Sequence, residues 1–234
     1  MKKVLFWDFD GTLVHPNDAY SEALDKALRA YGYEIAFDAV RQCTRMIPWH
    51  TDDTVYPQPT GELWWEALYG RMRRFTESWG IPDEGHTAVC SLYREELKRY
   101  PYRLFDGAME VVDTCRAMGY ACHILSNNHP HFPEILERMG LTAHFDKLFV
   151  GSIFGYDKPR REFFRYAIAE AGEPEEAWMI GDNPHLDIKA ASEAGLKTIW
   201  ANPLYDFEVG QRYALRICRS LQEIPAVLEQ DTGI

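Results

Sequence analysis

The chain lacks any paired cysteine spacing. Its five cysteines, at positions 43, 90, 115, 122 and 218, are odd in number and form no Cys-x-x-Cys. Neither a disulfide framework nor a zinc knuckle is indicated, and free thiols are expected. A basic excess is missing too. Twenty-five Lys and Arg against 36 Asp and Glu leave a formal net charge of −11, so neither nucleic acid nor an anionic membrane is expected as a general partner. A small anion has to be met by local cations. Long apolar runs are also lacking where a leader would place one: Val4-Leu5-Phe6-Trp7 stops at Asp8, too short for a signal-peptide core or a membrane span. The expectation is a cytoplasmic protein with no membrane partner. Internal repeats and low-complexity segments are absent.

What is present starts with a strand. The 234 residues, 46% of them hydrophobic, suit one sizeable domain or a domain with a smaller insert. Val4 to Trp7 is a continuous run rich in β-formers, as in a strand buried on both faces of a parallel sheet. Asp8 and Asp10 then fall at its carboxyl end, where open α/β sheets bind ligands, with Gly11 allowing a sharp turn. Two neighbouring carboxylates repel each other unless a cation is present, so the stretch suggests a metal and an anionic substrate.

From 18 to 100 the periodicity is helical with almost no strand signal, as in Tyr20-Ala23-Leu24-Ala27-Leu28. Pro16 and Pro101 bracket this insert, and a loop with Pro48, Pro57 and Pro59 interrupts it. Beyond Pro101, strands and helices alternate. Helices are predicted over 108–118, 130–139, 161–171, 187–194 and 221–229, with Ser220 capping the last. Strands are predicted over 120–125, 147–150, 177–180 and 197–200, the final one being the last clear strand. Such units build a doubly wound parallel sheet with right-handed crossovers.

Polar signatures follow these strands. Ser126-Asn127 comes after Ile124-Leu125, where a hydroxyl and a neighbouring N–H can receive phosphoryl oxygens. Lys158-Pro159 opens the 161–171 helix, an end where the dipole disfavours a cation, so a role beyond the helix is indicated. Gly181-Asp182-Asn183-Pro184-His185-Leu186-Asp187 places two further acids after a strand, and helix capping explains only one.

With Asp8-x-Asp10-Gly11-Thr12, Ser126, Lys158 and Gly181-Asp182…Asp187 in this order, the chain resembles the haloacid dehalogenase-like (HAD) hydrolases over nearly its whole length. The insert resembles the cap of the phosphoglycolate phosphatase-like branch. The resemblance implies an α/β fold, a Rossmann-like core over 1–17 and 101–234 with an all-α cap over 18–100. It implies five strands, the Lys3 strand central between those of Tyr120 and Ala177. The dehalogenases lack the second Asp; Asp10 is present here, as in phosphatases and phosphomutases.

The resemblance also implies a Mg²⁺-dependent phosphatase of small phosphorylated metabolites. In it Asp8 is the nucleophile that forms an aspartyl-phosphate, and Asp10 protonates the leaving alcohol and then activates water. Ser126 and Lys158 stabilise the phosphoryl group, with Thr12 and Asn127 beside the substrate. The ion is held by Asp8, Asp182 and the Asp10 backbone carbonyl, Asp187 bracing the water shell or Lys158. A phosphomutase and a non-catalytic phosphate-binding regulator are the alternatives.

His129-Pro130-His131 has no third ligand at metal spacing and is read as a polar loop leading into a helix. Trp49-His50 in the insert's loop either faces the substrate or packs within the cap. Trp64-Trp65 and Arg71, Arg73 and Arg74 are read as ordinary helix faces.

Overall fold

A computed structural model describes residues 2–46 and 56–231. The first strand, β1 (Lys3–Trp7), is buried throughout its apolar run because it lies in the middle of the sheet. Alternate side chains leave it on opposite faces. Leu5 and Trp7 enter one apolar cluster and Val4 and Phe6 another, which is why the sequence reads as unbroken rather than alternating.

Helices follow: α1 (Ala19–Ala30), α2 (Phe37–Met46), α3 (Glu62–Ser78) and α4 (Asp83–Lys98). Their inward stripes, among them Leu24, Leu28, Trp65, Met72, Val89 and Leu97, form a third cluster whose buried members all come from this segment, with Tyr102 packed against it from outside. At about 1.5–3 kcal/mol for each large apolar side chain buried, that cluster gives the segment a core of its own.

The rest alternates: α5 (Ala108–Ala117), β2 (Tyr120–Ser126), α6 (Phe132–Arg138), β3 (Lys147–Val150), α7 (Arg161–Glu170), β4 (Glu176–Gly181), β5 (Lys197–Ala201) and β6 (Arg216–Cys218). All pairs are parallel, in the order β3-β2-β1-β4-β5-β6. Trp7 pairs with both Ile124 and Ile180, so the residues following β1, β2 and β4 emerge side by side at one end.

The structure departs from the sequence reading at several places, among them two short helical turns at Thr142–His144 and Gly151–Phe154. β6 extends the expected five strands to six; it is three residues long with only Cys218 buried, too short for an alternation to show. The helix expected over 187–194 begins earlier, as a wide π turn over Pro184–Lys189 that continues into Ala190–Glu193. A helix at Phe207–Tyr213 was not anticipated. At the carboxyl end the Ser220 cap holds: Ser220 and Glu223 form a capping box, and Pro225 sits in the first turn of Ile224–Asp231, where proline is tolerated. Among the described residues no helix is long and apolar enough to cross a membrane.

Candidate active site

The Asp8 N–H donates to the Ile180 carbonyl at 2.9 Å, extending the β1–β4 ladder by one residue and delivering Asp8 to the sheet's end. The chain then turns, with the N–H groups of Leu13 and Val14 donating back to the Phe9 carbonyl. Gly11 makes the turn at φ +81°, and a Cβ there would lie 2.5 Å from Asp182 Oδ2. Glycine is therefore needed both for the left-handed backbone and for the approach of the β4 carboxylate. Gly181 plays the second part on the other side: a Cβ on it would come within 2.3 Å of Asp187 Oδ2.

Lys158, 2% exposed, joins the acids. Its Nζ donates to Asp8 Oδ1 and to Asp187 Oδ1, each at 2.6 Å. Burial works against the ammonium's charge, but the carboxylates of Asp187 and Asp8 outweigh it and hold its pKa above the ordinary lysine value. Asp187 is fully buried, and its Oδ2 accepts from the Asn183 N–H at 3.0 Å. The π turn explains how it gets there. The Asn183 side chain caps the N–H groups of His185 and Leu186 at 3.0 Å each, and its carbonyl accepts from both Asp187, at 3.0 Å, and Ile188, at 3.2 Å. The second bond spans five residues and widens the turn, as π segments at functional sites commonly do.

Asp182 is anchored from β5 by Trp200, whose indole N–H donates to the Asp182 carbonyl at 2.8 Å. Thr12, expected beside the substrate, is fully buried instead, and its hydroxyl reaches Asp182 Oδ1 at 3.4 Å. Burial raises Asp182, and the charges of Asp8 and Asp187 raise it further; burial also raises Asp187, against the pull of Lys158. Asp8, Asp182 and Asp187 each offer a carboxylate oxygen within 4.8 Å of the others. One lysine leaves these three acids undercompensated, and hard oxygen donors are the set that Mg²⁺ or Ca²⁺ takes. The residues present fit a divalent cation.

The Asp10 carboxylate stands apart from that trio; the expectation for Asp10 at the ion concerns its backbone carbonyl. Asn17 donates to its Oδ1 at 2.8 Å and Asn128 to its Oδ2 at 3.2 Å. Burial pushes Asp10 up to about 6, with the Asn17 bond opposing, the Asp8 charge adding and Lys158 opposing. Asn127, also expected beside the substrate, holds the Lys158 backbone with its side chain: its Nδ2 donates to the Lys158 carbonyl and its Oδ1 accepts from the Lys158 N–H, both at 2.7 Å.

A cavity of about 200 Å³ is lined by Asp8, Asp10, Ser126, Asn127, Lys158 and the 182–187 turn. It shares Asp10 and Asn127 with a cleft of about 430 Å³ whose opposite wall comes from α1 and α2. The structure thus brings together Asp8, Asp10, Ser126, Lys158, Asp182 and Asp187. Trp49 and His50 lie outside the described residues. The sequence reading missed Asn17, Asn128, Asn183 and Trp200. Asn17 had a readable signal, a polar residue between Pro16 and the first helix; Trp200 had none.

His129 and His131 lie in the expected loop leading into α6, although His129 does not face solvent. His129 is fully buried against Trp65, ring centroids 5.4 Å apart, while the Nε2 of His131 accepts from Arg94 Nε at 2.8 Å. Trp65, read as part of an ordinary helix face, is buried there, and Arg73 pairs with Asp83.

The family model of the haloacid dehalogenase-like hydrolases matches residues 2–195. A phosphoserine phosphatase of Thermus thermophilus is 27% identical over 223 residues, covering 86% of this chain and 88% of that one. The pyrimidine 5'-nucleotidase YjjG of Escherichia coli is 37% identical over 141 residues, 58% of this chain and 60% of that protein. Among solved structures, the HAD-hydrolase YfnB of Bacillus subtilis, bound to magnesium, superposes with a TM-score of 0.76 at 22% identity over 97% of this chain and 99% of that one.

Proposed function

The chain belongs to the haloacid dehalogenase-like hydrolases, and on that premise we propose that it is a Mg²⁺-dependent phosphatase of a small phosphorylated metabolite, working through an aspartyl-phosphate. The carrying observation is the second carboxylate. Asp10 is gripped by Asn17 and Asn128 at the edge of the cavity that holds Asp8 and Lys158. The phosphatase and nucleotidase named above support the same reaction class.

A carboxylate approaching a phosphate monoester meets like charge. At an effective dielectric of ~20, two unit charges 4 Å apart repel by about 4 kcal/mol, roughly a thousandfold in rate. Lys158 offsets part of this from its place between Asp8 and Asp187. Asp8, Asp182 and Asp187, with the Asp10 carbonyl that the family resemblance adds, would hold the ion, which supplies the remaining positive charge.

Asp8 attacks phosphorus, and the bond to the leaving oxygen breaks as Asp10 gives that oxygen its proton. Asp10 then takes a proton from the water that attacks the aspartyl-phosphate, releasing phosphate and restoring Asp8. Near 6, the Asp10 pKa suits both duties at neutral pH. Ser126, at the end of β2, orients the phosphoryl oxygens.

Two further parts of the reading concern organisation. Residues 1–17 and 101–234 form the catalytic core and 18–100 a cap, supported by the separate apolar cluster of the helical segment. The protein works in the cytoplasm, as five buried, unpaired cysteines suit a reducing compartment.

The test is hydrolysis of p-nitrophenyl phosphate by the purified protein with Mg²⁺ and after chelation. Release that depends on the metal is expected; no release with Mg²⁺ present overturns the reading.

A further inference from the structure

Resting on the phosphatase reading above, the cleft beside Asp10 narrows the substrate. A substrate whose phosphoryl group lies over Asp8 must place its leaving oxygen at Asp10. Asp10 also lines the larger cleft, so the remainder of the leaving group lies there. At about 430 Å³ the cleft sits toward the small end of ligand pockets, which span ~300–1,000 Å³.

Most polar groups of its wall are already committed. The Asn17 amide holds Asp10 and accepts from the Ala19 N–H. The hydroxyls of Ser21 and Thr44 bond each other at 2.8 Å, and the Tyr20 hydroxyl reaches Asn128 Oδ1 at 3.4 Å. Asp18 is neutralised by Arg41. One turn further along the same face of α2, Arg45 lines the cleft, exposed, and pairs with no carboxylate among the described residues.

A cation in the last turn of a helix gains ~0.3–1 kcal/mol from the dipole, but that gain does not require it to line a cleft. In a chain of net charge −11, with Asp10 and Asp18 in the same wall, a neutral leaving group would need no guanidinium there. We infer that Arg45 is a specificity-determining residue and that the substrate is a phosphate monoester whose leaving alcohol carries a second anionic group. A carboxylate and a second phosphate present the same chemistry to a guanidinium, each accepting two parallel N–H bonds.

The experiment compares kcat/KM, in saturating Mg²⁺, for three esters of one chain length: 3-phosphooxypropanoate, propane-1,3-diol bisphosphate and propyl phosphate. The parent protein should favour at least one of the anionic esters over propyl phosphate by about tenfold or more, and whichever is favoured identifies the source of the anion. In Arg45→Gln that ratio should fall to near one, and Arg45→Lys should restore part of it. A parent ratio near one, or a ratio that survives Arg45→Gln, overturns the inference. Hydrolysis of p-nitrophenyl phosphate with no such charge preference would sink this inference alone, whereas failure to hydrolyse any ester would sink the phosphatase reading with it.

Discussion

Asn127 and Lys158 clasp each other through two hydrogen bonds of 2.7 Å, the side-chain amide of one closing on the backbone N–H and carbonyl of the other. Because the same lysine bridges Asp8 and Asp187 at 2.6 Å, the clasp sets where the ammonium stands. Asn127→Ala should therefore lower kcat by about 10–100-fold with little change in KM, since a displaced charge costs transition-state stabilisation rather than ground-state binding. Steady-state kinetics on p-nitrophenyl phosphate check this. A rise in KM at unchanged kcat would mean that Asn127 contacts substrate.

The proposed proton transfer by Asp10 predicts that the loss on Asp10→Asn tracks the leaving group. A drop of roughly 100-fold or more is expected on propyl phosphate and a smaller one on p-nitrophenyl phosphate, whose leaving oxygen needs less protonation. Equal losses on both would remove Asp10 from the role of general acid.

Asp157 offers a test by pH away from the acidic trio. It is buried and accepts from the amide of Gln58. Burial raises its carboxyl from 3.8 to about 6, the Gln58 bond and the Lys158 charge opposing. A folded pKa above the unfolded one means that the native state binds the proton more tightly. Its contribution is thus fully present below about pH 4 and is lost as pH rises through about 6. Asp157→Asn should be more stable than the parent at pH 7.5, by roughly 1–3 kcal/mol, and show no such advantage at pH 4. Urea unfolding at the two values measures it; an equal difference at both would mean that Asp157 does not titrate in this window.

The carboxylates of Asp8, Asp182 and Asp187 are short of positive charge, so a bound divalent cation should stabilise the fold. At Mg²⁺ near 100 times its dissociation constant, the gain is about 2.7 kcal/mol, visible as a rise in Tm over the chelated protein. Asp182→Asn should shrink that rise. An undiminished rise would place the ion elsewhere.

How much of this was legible beforehand follows from what each signal depends on. Strands such as β1 and β4 announced themselves because burial on both faces writes an unbroken apolar run. The acids at their ends were readable because sheet topology alone decides where a strand's last residue points. β6 was not, because three residues with one buried side chain carry no pattern. Nor was the π turn, which arises from the Asn183 carbonyl serving two donors, a choice made in three dimensions. Asn17 and Asn128 were missed for a related reason. An asparagine near a catalytic strand end looks the same in sequence whether it faces solvent or, like these two, donates to Asp10.

The central claim is that Asp8 becomes phosphorylated. The direct measurement is mass spectrometry of the peptide containing Asp8 after mixing enzyme, Mg²⁺ and p-nitrophenyl phosphate and quenching in acid within one turnover. The peptide from the parent protein should carry one phosphoryl group, that from Asp8→Asn none, and the variant should release no phosphate. Phosphate release by the parent without phosphorylation of that peptide, or turnover by Asp8→Asn within about tenfold of the parent, would contradict the account.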